Sequence, residues 1–413
     1  MGSLSSAALQ ATMAAEPSSG DDKNDDTCTT SSNSLLLRSL DAWESEVKAL
    51  PYMRSAPNLS HYEHMPEPVI QAYQLLTHGA ELLQATATKY TLYMQATTKE
   101  EEDDDAKSKT TELFHTEFQR AAESILVACL TLHDDSVGCA RSTRTHVRTA
   151  TRNLLAVTKR LLLAPPSAVE TGIVWDACAF VIEQRLPQGN RNAMRRDLFL
   201  YRVECQETVE EFQTMIDVSA ESTTGTTTAV VTEDDDDDDN EEALFHGDFR
   251  YATVAERSVA QVCVYLLRCS RGALNVALQA MEVAAVKNEG DADVDHHNST
   301  LLFRWCCQLH DRARPVGEGV TEVGSLLYPP LDLAALQIEV ERQVQAIQDT
   351  LQWVLGTTSN NNGSDDSSSV ENYHPTTVPA ETMTLASTVE EAVRTRTHEF
   401  QAAVAELRHS GGQ

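Results

Sequence analysis

Apolar residues alternate at spacings of three and four along most of this chain, over stretches much longer than a β-strand. In one run the spacing is unbroken, at Val259, Val262, Leu266, Cys269, Ala273, Val276, Ala280 and Val283. An average spacing of about 3.5 residues places such side chains on one face of an α-helix, as in helical bundles and coiled coils. Similar stripes begin at Val69, Phe114, Val147, Met194, Leu333 and Leu385. The sequence therefore predicts an all-α protein built from antiparallel helical bundles.

Polar low-complexity stretches divide the predicted helices into two groups, because they lack the apolar surface that would offset the entropy of ordering. We predict a disordered N-terminal tail at 1–33 and an N-terminal bundle at 34–186. The first helix of a second bundle follows at 187–218, then an acidic disordered insert at 219–247 and the rest of the C-terminal bundle at 248–409. A further disordered loop is predicted at 357–378.

Shorter breaks are predicted within these groups. The segment from Leu186 through Pro187 to Gly189 interrupts the helical pattern and is interpreted as a hinge between the two bundles. The acids at 100–105 predict a solvated loop, and residues 315–330 contain Pro and Gly and predict a connector.

The chain is strongly acidic, with a net charge of −31 from 63 acidic and 32 basic residues. Nine of the acids lie in one run, at 233–242. Binding to nucleic acid requires Lys and Arg to displace the counterions of the phosphates, so we expect no direct nucleic-acid binding. We expect a protein with this charge to lie in the cytosol or to bind a basic protein partner.

The cysteines predict a reducing compartment. The chain has nine, an odd number, and no Cys-x-x-Cys pair. Cys129, Cys178, Cys205 and Cys263 lie at or beside apolar helical positions and are interpreted as small buried hydrophobic residues. No apolar run reaches the length of about 18 residues that a membrane-spanning helix needs, and no secretory signal is recognisable, so we expect no membrane association.

One predicted helix carries a basic stripe in this acidic chain, at Arg141, Arg144, Arg148 and Arg152. Residues three and four apart are neighbours on a helix surface, so these side chains share a face. The favoured interpretation is a solvated face. The alternative is a binding surface for an acidic partner or for the acidic loops of the chain itself.

No catalytic signature is present, and we expect neither an enzyme nor a bound cofactor or metal. Cys306, Cys307 and His310 lie within a predicted amphipathic helix, and no second ligand pair stands at the spacing of a zinc site, so we interpret them as core residues.

An acidic turn resembles the start of a calcium-binding loop, at Asp291, Asp293 and Asp295. His296 stands where the loop requires Gly, and Leu302 stands where it requires a bidentate acid. We therefore interpret this turn as a solvated loop.

Two short motifs lie in helical surroundings. The first comprises Val174, Trp175, Ala177 and Cys178, the break at Pro187, then Asn190, Ala193 and a helix with the pair Glu210-Glu211. Trp175 and Cys178 are three apart and are interpreted as packing residues on one helix face rather than a partner-binding hot spot. The second motif is Tyr328-Pro329-Pro330, interpreted as a rigid first turn of the next helix; the alternative is a ligand for a proline-recognition domain.

These two motifs, in this order, resemble the cyclin-D-binding protein family. The resemblance implies an all-helical fold with two bundles of the vinculin and catenin type. It also implies binding to D-type cyclins or helix-loop-helix proteins, negative regulation of cell-cycle progression, and a place in cytoplasm and nucleus.

The chain departs from the family in its long acidic inserts, and it has no basic region that would enter a DNA groove. The alternative function is a vinculin-like scaffold linked to the cytoskeleton or to cell junctions. The oligomeric state and the binding face stay open at this point.

Overall fold

The computed structural model describes residues 28–51, 55, 65–97, 104–224, 250–286, 296–357 and 378–410. Within these residues it has ten α-helices, one short 3-10 helix and no strand, which confirms the all-α prediction. The helices are α1 (Cys28–Ala49), α2 (Glu67–Thr97), α3 (Asp104–His133), α4 (Arg141–Leu163), α5 (Ala168–Ile182), α6 (Gly189–Thr224), α7 (Val254–Val286), α8 (His296–Ser325), α9 (Leu333–Leu355) and α10 (Ala380–Ser410).

The first hydrophobic core is formed by α1 to α5. Helices α2 and α3 pack along each other, α5 lies against α2 and α4, and α1 covers α3 and α4. The close approach of α2 to α3 depends on Gly79, where an added Cβ would stand 2.8 Å from the side chain of Ile125. The apolar stripe of α2 is buried here, from Val69 to Tyr90.

The second core is formed by α6 to α10. Helix α7 contacts the other four helices of this group, which confirms the central place that its apolar surface predicts. Ala140, just before α4, also belongs to the second core, and α4 packs against α6. The two cores are therefore in direct contact.

Helix α8 is longer than the sequence predicts, because it runs through Pro315 to Ser325 and replaces the expected connector. Proline removes one helix hydrogen bond and disturbs the turn before it. Two side chains of α9 supply donors on the inner face of this turn. The Gln343 amide donates to the carbonyl of Val316 at 2.8 Å, and the Thr350 hydroxyl donates to the carbonyl of Arg312 at 3.0 Å.

Glycines in the second half of α8 allow close packing rather than a turn. A Cβ at Gly317 would lie 2.2 Å from the ring of Tyr201 on α6. A Cβ at Gly319 would lie 2.0 Å from the amide oxygen of Gln343 on α9. These residues therefore mark contact points between helices, although in the sequence alone they look like loop residues.

Several predicted boundaries are wrong by part of a turn or more. Helix α1 begins at Cys28, inside the predicted tail, and α6 continues to Thr224, inside the predicted insert. Asp104 begins α3, so the loop predicted at 100–105 ends earlier than expected. The helix after the second motif begins at Leu333 rather than in the proline pair.

The remaining predicted loops lie outside the described residues. They are the rest of the tail, the acidic run at 233–242, the acids of the calcium-like turn and most of the loop predicted at 357–378. Within the described segments, no helix combines the length and the apolar character needed to cross a lipid bilayer.

Candidate functional site

The first motif crosses the junction between the two cores. Pro187 is buried there, and its carbonyl accepts a hydrogen bond from the hydroxyl of Tyr73 on α2 at 3.2 Å. The same hydroxyl accepts from the backbone N–H of Gly189 at 3.3 Å. Gly189 has φ = 78°, a conformation that glycine adopts without strain. The segment predicted to be a hinge is thus anchored to α2.

Asn190 holds the other side of this junction. Its side-chain oxygen accepts from the backbone N–H of Ala140 at 2.7 Å and from the hydroxyl of Thr143 at 2.8 Å. Its amide donates to the carbonyl of Gly138 at 3.2 Å. Ala140 precedes α4 and has no side chain with which to cap it. Asn190 therefore stabilises the start of α4 from a distant part of the chain.

Asp197 on α6 joins three helices. One carboxylate oxygen lies 2.7 Å from Nε2 of His146 on α4. The other lies 3.1 Å from Nε2 of His310 on α8 and accepts from the hydroxyl of Ser142 at 2.5 Å. Burial alone would raise the pKa of Asp197, but the two histidines outweigh burial and hold this pKa well below its usual range.

Sequence reasoning missed this cluster because its members are far apart in the chain and have no local pattern. His310 was interpreted only as a core residue. It is buried, and it also binds the Asp197 carboxylate. The cluster links the two cores through hydrogen bonds and ion pairs. Within the described residues, no group of three or more His, Cys, Asp or Glu side chains could hold a metal ion.

The basic stripe of α4 differs from the predicted solvated face. Arg144 is fully buried and forms an ion pair with Asp135 at 2.8 Å. Arg148 donates to the carbonyls of Val47 at 3.0 Å and Lys48 at 2.7 Å, and so caps the C-terminal end of α1.

Two arginines of the stripe are committed to the fold, and the solvated interpretation is wrong for Arg144. Arg152 is half-buried, and the backbone N–H of Arg141 donates to the hydroxyl of Ser55 at 3.0 Å. Partner binding by the rest of the stripe, at Arg141, Arg148 and Arg152, stays a prediction.

The Val-Trp-Asp-Ala-Cys segment lies on α5. Val174, Ala177 and Cys178 are buried in the first core, as a packing role requires. Trp175 points elsewhere: 47% of it is exposed, and its indole N–H donates to the hydroxyl of Thr88 on α2 at 3.0 Å. The predicted common face of Trp175 and Cys178 is therefore wrong.

The structure brings the two motifs together. The phenol of Tyr328 donates to the carboxylate of Glu211, and its ring meets Phe212 edge-on with centroids 5.0 Å apart. Ala193 is buried near the start of the same helix. Pro329 and Pro330 lie before α9, which Asp332 caps through the backbone N–H groups of Ala334 and Ala335.

The described cysteines are free and mostly buried. Burial raises the pKa of the thiols of Cys129, Cys178 and Cys205 to about 12, so each is protonated at neutral pH. Cys306 and Cys307 are buried on α8. Protonated thiols are poor nucleophiles and poor metal ligands, which agrees with a packing role.

A groove that sequence reasoning did not identify lies between the first part of α6 and the last part of α7. Its volume is about 500 Å³. It is lined by Asn192, Arg195, Arg196, Phe199, Arg202, Asn275, Leu278, Gln279 and Glu282. The sequence signal available for it was the row of arginines on α6, which falls within the first family motif. We refer to these nine residues as the arginine groove.

Residues 75–218 match the family model for the N-terminal region of Grap2 and cyclin-D-interacting proteins. Over these residues the chain is similar to that region, which supports the family resemblance carried by the first motif. The matched residues include the first motif from Val174 to Ala193, most of the first core and nearly all of α6. They end before Tyr328, so the second motif lies outside the match. No curated protein matches the chain significantly.

Proposed function

We propose that the protein is a non-enzymatic regulatory module that binds a partner protein of the D-type cyclin or helix-loop-helix class and restrains cell-cycle progression. The observation that carries this proposal is the similarity of residues 75–218 to the N-terminal region of Grap2 and cyclin-D-interacting proteins. We extend the proposal to a place in cytoplasm and nucleus, where such a partner is met.

The surface of the helices supports binding to another protein. Large apolar side chains are exposed on helices of both cores, among them Leu92, Val169, Trp175, Phe199, Leu200 and Ile338. Packed helices with exposed apolar side chains are suited to receiving a partner helix, because an apolar helix face gains affinity by entering a groove.

The polar interior supports a non-enzymatic role. The carboxylate of Asp197, the buried acid with the strongest perturbation, is already engaged by His146, His310 and Ser142. The buried thiols are protonated. These groups therefore hold helices together and are not poised for acid–base or nucleophilic work.

The proposal is tested by capture. The full chain is immobilised, and purified D-type cyclin, a helix-loop-helix protein and an unrelated helical protein of near-zero net charge are applied separately at equal concentration. We expect saturable retention of the cyclin or of the helix-loop-helix protein, and none of the control. Retention of neither, by protein whose helical circular dichroism is intact, would contradict the proposal. Co-sedimentation with actin filaments in the same preparation would instead favour the scaffold alternative.

A further inference from the structure

Charge is separated along α6. Four arginines stand in its first part, at Arg191, Arg195, Arg196 and Arg202. Asp197 is the one acid in that stretch, and it faces His146 and His310. The other acids of the helix follow, at Glu204, Glu207, Glu210, Glu211, Asp217 and Glu221. In a chain with a net charge of −31, the start of α6 is thus a local cationic surface.

Helix stability does not explain this arrangement. Arg191 lies in the first turn of α6, where the helix dipole disfavours a cation. The acids lie toward the other end, where the dipole favours cations instead.

The arginine groove holds guanidinium groups that are only partly neutralised. Arg195 pairs with Glu282 on α7 at 2.6 Å. Arg202 donates to the side-chain oxygen of Asn275 at 3.1 Å, and Arg196 donates to the carbonyl of Arg185 at 2.9 Å. In the part of the chain that the structure describes, neither Arg196 nor Arg202 forms an ion pair with a carboxylate.

An aromatic ring stands among these cations. Phe199 is 48% exposed, and the Arg202 guanidinium lies 5.0 Å from its centroid. Arg196 lies 5.7 Å from the ring of Phe180 on α5. Contact with a ring holds a guanidinium in place, so less rotational freedom is lost when it binds a carboxylate. The groove thus offers fixed cations beside an apolar surface.

We infer that the arginine groove binds an acidic amphipathic helix of a partner protein. Carboxylates of that helix pair with Arg196 and Arg202, and its apolar side chains contact Phe199 and Leu278. The inference rests on the proposed function and names the binding surface for it. A nucleic acid fits less well, because the chain outside this groove carries a large negative charge that repels phosphates.

The direct test is a fluorescence-anisotropy titration of the full chain with a labelled synthetic helix. The probe has leucine at alternating third and fourth positions and glutamate between them, and the control probe has lysine in place of glutamate. We expect the acidic probe to bind with an affinity that falls as salt is raised, and the basic probe not to bind. Equal binding of both probes would overturn the inference.

Variants assign the binding to the groove. We expect R196E/R202E to weaken binding of the acidic probe at least about tenfold, because charge-assisted hydrogen bonds are lost. R196Q/R202Q should weaken it less and flatten its salt dependence. F199A should weaken it without changing the salt dependence. The matched control R342E/R394E reverses two exposed arginines on α9 and α10 and should bind as the native chain does.

Three results would overturn the inference. If R196E/R202E melts like the native chain and binds the probe with unchanged affinity, the probe does not bind in the arginine groove. Loss of probe binding in W175A would move the site to the exposed tryptophan of α5. A rise in affinity after the acids at 233–242 are replaced by Asn and Ser, with no such rise when R196Q/R202Q is also present, would assign the groove to the acidic run of the chain itself.

Capture of D-type cyclin by the same variants separates this inference from the proposed function. If R196E/R202E retains the cyclin as well as the native chain does, the groove fails as the partner site and the proposed function stands. If no variant retains a partner but the acidic probe still binds through Arg196 and Arg202, the groove stands and the proposed function fails.

Discussion

At the scale of single residues, Asp197 is the most connected acid between the two cores. It contacts a side chain of α8 and two side chains of α4 while remaining largely buried. A buried carboxylate without partners would destabilise the fold by several kcal/mol, so its position requires those contacts. None of them is visible in the sequence around residue 197.

We expect Asp197→Asn to lower the free energy of unfolding by about 1–3 kcal/mol at pH 7. Folding lowers the pKa of Asp197, so its carboxylate stabilises the fold above the ordinary carboxyl pKa of about 3.9, and this stabilisation is lost as the pH falls further. The gap between variant and native chain should therefore persist above pH 5 and shrink below about pH 4.

Urea unfolding followed by circular dichroism at several pH values measures this gap. The exposed acid Asp217 on the same helix provides the control, and Asp217→Asn should change stability by less than about 0.5 kcal/mol. A gap that is absent at pH 7, or that grows in acid, would show that Asp197 does not join the cores as described.

His133 gives a separate pH dependence. It is buried at the end of α3, and its Nδ1 lies 2.8 Å from the carbonyl of Cys129. Burial lowers the pKa of His133 to about 4. The unfolded chain, with an ordinary histidine pKa of about 6.5, binds the proton more readily, so stability falls as the pH drops from about 6.5 toward 4.

In His133→Gln, the decrease in the free energy of unfolding between about pH 6.5 and pH 4 should be smaller by on the order of 3 kcal/mol. The exposed His398→Gln controls for the loss of a histidine as such. The measurement is the free energy of unfolding between pH 7 and pH 4, and identical slopes in His133→Gln and native protein would refute the role of His133.

At the scale of elements, the apolar stripes predicted helices well because their spacing is a local property. Most of the described residues in the stripes of α2 and α7 are buried where the sequence placed them. The start of α4 and the second half of α8 contact distant residues, and the second half of α8 was predicted to be a connector. Asn190 accepts a hydrogen bond from the start of α4, and Gln343 and Thr350 donate to carbonyls of α8 on either side of Pro315.

Gln343 tests this account of α8. Its amide donates to the carbonyl of Val316 and to the hydroxyl of Ser270 on α7, both at 2.8 Å, and so links three helices. We expect Gln343→Ala to cost about 1–3 kcal/mol, because buried polar groups lose their partner. Chemical denaturation measures the loss, and Gln345→Ala, at an exposed position of the same helix, is the control. Equal stabilities of the two variants would disprove the account.

The candidate site was harder to foresee than the helices. A basic stripe on α4 looked like a surface, yet Arg144 is buried and Arg148 caps α1. A tryptophan on an apolar helix looked like core, yet Trp175 is half exposed. Helical spacing says which residues share a face, but the neighbouring helices decide whether that face meets solvent.

At the scale of the whole molecule, the two cores are joined through α4 and α6, and the family match at 75–218 covers α4 and nearly all of α6. The same helix α6 carries the first motif's Asn190, the Asp197 cluster and the arginine groove. A partner bound in the groove would therefore contact the helix on which the junction depends. We expect the effect of partner binding to extend into both cores through α6.

Hydrogen exchange of the full chain with and without purified D-type cyclin tests the central claim most directly. The account predicts slower amide exchange at 192–202 on α6 and at 275–282 on α7 when the cyclin is added, and little change around Trp175. No protection anywhere in the folded chain would contradict partner binding, and protection centred on Trp175 would contradict the arginine groove as the surface that provides it.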